Sequence, residues 1–235
     1  MIVYYLRLIK NNIPNFFTVL NLVFGSIGVV FIMHKMPMEA SFCIWIGAVC
    51  DLLDGLLARL LKAYSKFGEQ VDSLADLITF GSLPSYLMFF LIEQKENSFL
   101  LASVSLLIVI FSAIRLAKFN LLNNDERDVF HGIPTPSSAL FFSTFPMIQC
   151  NMECSWLNYL FNNTYFMLFS VLITSFLLIS RLKIMAIKFS NWSWNANKFK
   201  FLFLFFSLCL TILFKINGVL FSYVLYILMS ICGFR

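Results

Sequence analysis

Eight apolar runs follow one another along this chain, at about residues 14–34, 38–64, 72–93, 98–122, 136–151, 160–181, 200–214 and 216–233. Most approach the roughly 17 to 25 residues that a helix needs to cross the hydrocarbon core of a bilayer. No water satisfies the backbone inside that core, so such runs are helical. Composition agrees. Of the 235 residues, 60% are hydrophobic and 12% charged, against about 25% charged in an average soluble domain. The chain reads as an all-α, polytopic membrane helix bundle, a single integral-membrane domain over 1–235. About eight transmembrane helices are expected. Six is the alternative count, because the fifth and seventh runs are short and only Lys215 separates the last two.

The basic residues orient the bundle. With the N-terminus in the cytoplasm, 14 of the 17 Lys and Arg fall on the cytoplasmic side, and only Lys35, Lys95 and Lys215 fall outside. This predicts cytoplasmic N- and C-termini, residence in the cell's inner membrane, and a cytoplasmic connection between the second and third helices. The net charge of +5 then reflects topology and contact with anionic membrane lipids, and nothing points to nucleic acid. Arg7 and Lys10 precede the first run without a small-residue cleavage site, so that run reads as a retained helix. The six cysteines form no CxxC pair. Cys43, Cys50, Cys209 and Cys232 read as packing residues, while Cys150 and Cys154 lie near an outer loop where a disulfide is conceivable. The polar stretch 122–135 reads as a solvated loop, with His131 an ordinary loop histidine.

Four aspartates interrupt the apolar pattern: Asp51 and Asp54 in the second run, Asp72 and Asp76 at the start of the third. A carboxylate at the bilayer centre costs roughly 2.5 to 3.5 kcal/mol even on lenient insertion scales. The neighbouring cations, Arg59, Lys62 and Lys66, are too few and too displaced to neutralise all four. At 3.6 residues per turn Asp51, Asp54 and Ala58 share one helix face, as do Gly68, Asp72 and Asp76. A short turn brings the two faces together. Four converging carboxylates without imidazole or thiolate make a hard-oxygen site for Mg²⁺, Mn²⁺ or Ca²⁺. Gly55 and Ala58 leave backbone open beside the acids, which a bulky phosphate ligand needs. Arg59 can hold such a phosphate through two hydrogen bonds.

The complete pattern, D51-x2-D54-G55-x2-A58-R59-x8-G68-x3-D72-x3-D76, resembles the signature of the CDP-alcohol phosphotransferase family. That resemblance implies transfer of a substituted phosphate from a CDP-alcohol to a second alcohol, with release of CMP and no organic cofactor. It also implies two divalent ions, Mg²⁺ or Mn²⁺, held by Asp51, Asp54, Asp72 and Asp76. Asp76 would in addition accept the proton of the attacking hydroxyl. Gly55, Ala58, Arg59 and Gly68 would shape the nucleotide and CDP-lipid pocket.

The flanks are similar to those of the family's serine-accepting bacterial members. They comprise Ile13-Pro14-Asn15 through Asn21 to Gly25, the run Asp72 to Ser85, Arg115-Leu-Ala-Lys118-Phe119-Asn120, and Gly132-Ile-Pro134-Thr135-Pro136. This likeness implies CDP-diacylglycerol and L-serine as substrates. Arg115 and Lys118 would offer cations to the serine carboxylate or the lipid phosphate. A homodimer is a family expectation, although no GxxxG face supports it. Asn15 and Asn21 can hydrogen-bond near the pocket or serve only to cap and pack the first helix. Three alternatives remain open: another acceptor such as glycerol-3-phosphate or inositol, an ether-lipid donor, or a divalent-cation transporter in which the acids line a permeation path.

Overall fold

The structure is a computed structural model that describes residues 2–63, 65–121, 132–150, 155–180 and 194–233. These residues form helices and no strand. In chain order they are α1 (Ile2–Met33), α2 (Pro37–Leu61), α3 (Lys66–Asp76), a π-helical segment (Leu77–Ser82), α4 (Leu83–Glu96), α5 (Phe99–Ser103), a 3₁₀ turn (Val104–Leu106), α6 (Leu107–Leu121), α7 (Thr135–Cys150), α8 (Ser155–Phe161), α9 (Thr164–Ile179), α10 (Trp194–Phe214) and α11 (Ile216–Gly233).

Among the described residues, four stretches are long and apolar enough to cross a membrane: Asn12–Met33, Pro37–Leu61, Lys66–Glu96 and Phe99–Leu121. A fifth arises if α8 and α9, bent by 71° at their junction, are one broken span. Phe201–Phe214 and Ile216–Ser230 are shorter apolar helices. The all-helical membrane bundle is as expected. The count of eight goes beyond what length and composition establish.

Helix ends follow from local chemistry. Lys35, Lys62, Asn97 and Lys215 take up left-handed backbone (φ 61°, 53°, 49° and 52°) where helices stop, and a lysine there also complements the helix dipole. Ser65 caps α3, its Oγ accepting the Gly68 N–H at 2.9 Å. The third helical stretch therefore begins at Lys66 rather than near residue 72, because that polar first turn carries no hydrophobic signal.

The fifth run, too short to look like a span, is the centre of the bundle. α7 packs against α2, α4, α8, α11 and the π segment. Phe141, Phe142 and Phe145 build an aromatic cluster there with Phe161, Phe166 and Tyr223, the Phe141–Tyr223 rings stacking at 4.6 Å. Trp45 Nε1 donates to Ser143 Oγ at 2.7 Å and ties α2 to this helix. Conversely, Phe16, Val19, Val23, Ile27 and Val30 run down α1 exposed, the surface a lipid-facing helix presents. α1 also packs closely on its inner side. A Cβ on Gly25 would stand 2.2 Å from Thr79 Oγ1, and one on Gly47 would stand 2.5 Å from Thr79 Cγ2. Those two glycines let α1, α2 and the π segment meet at backbone distance.

The possible Cys150–Cys154 disulfide cannot be placed, because Cys154 lies outside the described residues, as do His131, the polar loop 122–131 and residues 181–193. Cys43, Cys50 and Cys209 are free thiols, the first two buried.

Candidate active site

The two acidic faces meet, but not through direct packing of α2 on α3. Those helices barely touch; α1 packs against both. Between them opens a cavity of about 840 Å³, walled by α1, α2, α3, the end of α6 and the start of α7. Asp51, Asp54, Asp72 and Asp76 all line it. One carboxylate oxygen each from the half-buried Asp51, Asp72 and Asp76 lies within 4.8 Å of the others. Asp54 stands apart from this trio and is more deeply buried, at 6% exposed.

Residues of α1 hold two of the acids. Thr18 Oγ1 lies 2.8 Å from Asp54 Oδ2 and 3.2 Å from the Pro14 carbonyl. Its single proton goes to the shorter, charged acceptor. Asn21 Nδ2 donates to Asp76 Oδ1 at 3.2 Å. The two residues sit three apart, on one face of α1. Asn21 is therefore a hydrogen-bonding partner of the acids and not a mere packing residue. Asn15 borders the cavity near Gly68.

The other expected residues separate cleanly. Gly55, Ala58, Arg59 and Gly68 line the cavity, and nothing lies within 4 Å of where a Gly55 Cβ would stand. Arg59 Nε donates to the Gly55 carbonyl at 2.9 Å, leaving its remaining guanidinium N–H groups for other acceptors. Arg115 also lines the cavity, its Nε buried and without a hydrogen-bond partner, and Thr135 Oγ1 in the cavity lining is in the same condition. Lys118 is exposed and not part of the cavity wall. Pro134 and Pro136, at the approach to α7, also line the cavity. Ser73 and Asn120 pair across α3 and α6 at 2.9 Å, a contact that no spacing in the sequence announced.

The donor set fits a divalent cation. Three carboxylates within 4.8 Å repel one another in a low-dielectric setting. Asp72 Oδ1 is buried with no hydrogen-bond partner. A hard cation relieves both problems, since it takes carboxylate oxygens as ligands.

The sequence comparisons assign this membrane helix bundle, with acids from two helices facing a large cavity, to a class of lipid-modifying enzymes. The CDP-alcohol phosphatidyltransferase family profile matches residues 11–174, and the chain belongs to that family. Among its curated relatives are proteins named CDP-diacylglycerol–serine O-phosphatidyltransferase. That of Helicobacter pylori is 33% identical over 183 residues, covering 77% of this chain and 74% of the relative. That of Mycobacterium leprae is 32% identical over 176 residues, covering 72% and 57%. That of Methanocaldococcus jannaschii is 30% identical over 164 residues, covering 69% and 71%. Enzymes of this family generally use a divalent metal.

Proposed function

We propose that this chain transfers the phosphatidyl group of CDP-diacylglycerol to the hydroxyl of L-serine, giving phosphatidylserine and CMP. The observation that carries the reading is the convergence of Asp51, Asp72 and Asp76 on one cavity. The names of the relatives supply the acceptor.

In this reading Asp51, Asp54, Asp72 and Asp76 hold two divalent cations, Mg²⁺ or Mn²⁺. When bound, such ions neutralise the diphosphate and the charge that develops on the departing nucleotide. Gly55 and Ala58 leave room for CMP, Gly68 shapes the pocket by packing closely on Asn15 and Ser65, and Arg59 contacts the CMP phosphate. The serine hydroxyl oxygen forms a bond to the phosphorus bearing diacylglycerol. The bond from that phosphorus to the bridging oxygen breaks, and CMP leaves with the electron pair. Asp76 accepts the hydroxyl proton. The Arg115 Nε, buried without a hydrogen-bond partner in a residue that lines the cavity, as Thr135 also does, is suited to the serine carboxylate. Lys118, exposed beyond the cavity, is suited to anionic lipid headgroups. The basic residues Arg59, Lys62 and Lys66 at the α2–α3 connection support a site opening to the cytoplasm from the inner membrane.

The test is to incubate purified protein with CDP-diacylglycerol, Mn²⁺ or Mg²⁺, and labelled L-serine, glycerol-3-phosphate or inositol in parallel. Metal-dependent phosphatidylserine with stoichiometric CMP is expected, and should be lost in Asp76→Asn. CMP release only with another alcohol would overturn serine as acceptor. Full turnover by Asp76→Asn would overturn its role as the base.

A further inference from the structure

Asn21 sits within α1 with its side chain fully buried, at 0% exposed. The two ends of its amide meet different surroundings. Nδ2 donates to Asp76 Oδ1 at 3.2 Å. Oδ1 is buried without a partner, on the side of Gly47 in α2, where a Cβ would stand only 3.0 Å away. The amide cannot be reversed, since that would set its oxygen against a carboxylate. A residue serving packing alone would be leucine, of similar shape and with no buried oxygen to leave unsatisfied. The Asn21 side chain makes one hydrogen bond, and that bond goes to an acid of the cluster.

The main chain of Asn21 does separate work. Its carbonyl accepts from Thr79 Oγ1 at 2.9 Å. One residue of α1 therefore grips the chain at Asp76 and again at Thr79, on either side of the junction where α3 gives way to the π segment. The backbone grip joins helices. The side-chain grip acts on a carboxylate whose χ2 is otherwise soft and which Asp51 and Asp72 repel.

We propose that Asn21 is a positioning residue for Asp76, holding one carboxylate oxygen so that Asp76 completes a divalent-cation site with Asp51 and Asp72. This rests on the reading of those acids as cation ligands. Partners that orient metal ligands typically affect metal affinity or activity by about 10- to 100-fold.

The test measures Mn²⁺ binding to purified, metal-free protein by electron paramagnetic resonance, alongside its thermal unfolding and its kinetics. Asn21→Leu removes the amide and keeps the carbonyl that Thr79 uses. Its expected effect is a roughly tenfold or greater loss of Mn²⁺ affinity and a similar loss of kcat. KM for serine should stay within about twofold, and because Asp76 loses its donor the metal-free protein should unfold at a somewhat lower temperature, as Thr79→Val does. Thr79→Val breaks the backbone grip and keeps the amide; it should lower the unfolding temperature and leave Mn²⁺ affinity intact. Wild-type Mn²⁺ affinity in Asn21→Leu, or equal losses of that affinity in Asn21→Leu and Thr79→Val, would overturn the assignment. If Asn21→Leu does not fold, Asn21→Ala provides the same comparison. Wild-type protein that binds no Mn²⁺ would overturn the cation-site reading itself, and the Asn21 assignment with it.

Discussion

Alanine at Gly55 separates the stability of α2 from the use of the cavity. Glycine inside a helix costs about 1 kcal/mol relative to alanine, and here no atom lies within 4 Å of the missing Cβ. Gly55→Ala should therefore stabilise the protein by up to about 1 kcal/mol, which corresponds to roughly 2–4 °C in unfolding temperature. The same methyl would project where the CDP-lipid is proposed to approach the backbone. Overpacking a fitted contact costs about 1–3 kcal/mol, so KM for CDP-diacylglycerol should rise by about 5- to 150-fold. Gly25→Ala is the contrasting control. Its Cβ would stand 2.2 Å from Thr79 Oγ1 and 2.9 Å from the Thr79 Cα, and backbone cannot swing aside. It should destabilise by about 1–3 kcal/mol. The assay pairs thermal unfolding in detergent with initial rates over a range of CDP-diacylglycerol at saturating serine. A lower unfolding temperature for Gly55→Ala would refute the open space. A raised unfolding temperature with unchanged KM would refute nucleotide binding at that wall.

Thr18→Val keeps the side-chain shape and removes the 2.8 Å hydrogen bond to Asp54. A bond to a charged acceptor contributes about 1.5–3 kcal/mol, so a lower unfolding temperature and weaker Mn²⁺ binding are expected together. Gly132→Ala meets a positive φ of 74° and a Cβ position 2.4 Å from the Leu178 carbonyl oxygen; a loss of more than about 2 kcal/mol is expected by unfolding. Asp72→Asn removes one of three crowded charges and should raise the unfolding temperature of metal-free protein while abolishing its Mn²⁺ response. A fall in the metal-free protein would show that repulsion among the acids is already relieved by other means.

How much of this was legible depends on the range of each interaction. The acidic face was readable because Asp51 and Asp54, and Gly68, Asp72 and Asp76, repeat at the period of a single helix. Gly55, Ala58, Arg59 and Gly68 of that pattern line the cavity, as does Arg115 from the later flank. Three things were not readable. The α2 and α3 faces meet across a cavity propped by α1, and which helix sits between two others is a tertiary outcome. The contacts from Thr18 and Asn21 to Asp54 and Asp76 span 36 and 55 residues, so no local spacing encodes them. The central place of α7 was hidden by its 16-residue length, since length reports membrane crossing and not burial within protein.

These contacts also account for where the bundle concentrates its packing. The cavity side carries crowded carboxylates and the unsatisfied atoms of Asn21, Asp72, Arg115 and Thr135, each a cost to the folded state. The opposite side carries the fully buried Phe142, Phe145 and Phe161 around α7, where stacked aromatic pairs add to area burial. Trp45 links the two sides, rising from the α2 that bears Asp51 and Asp54 and donating to Ser143 of α7. A helix that must hold two acids in an apolar setting is thus anchored by a contact two turns away that takes no part in the chemistry. Stability and site are built from different residues of the same helix, so substitutions at the acids can silence the site without unfolding the bundle.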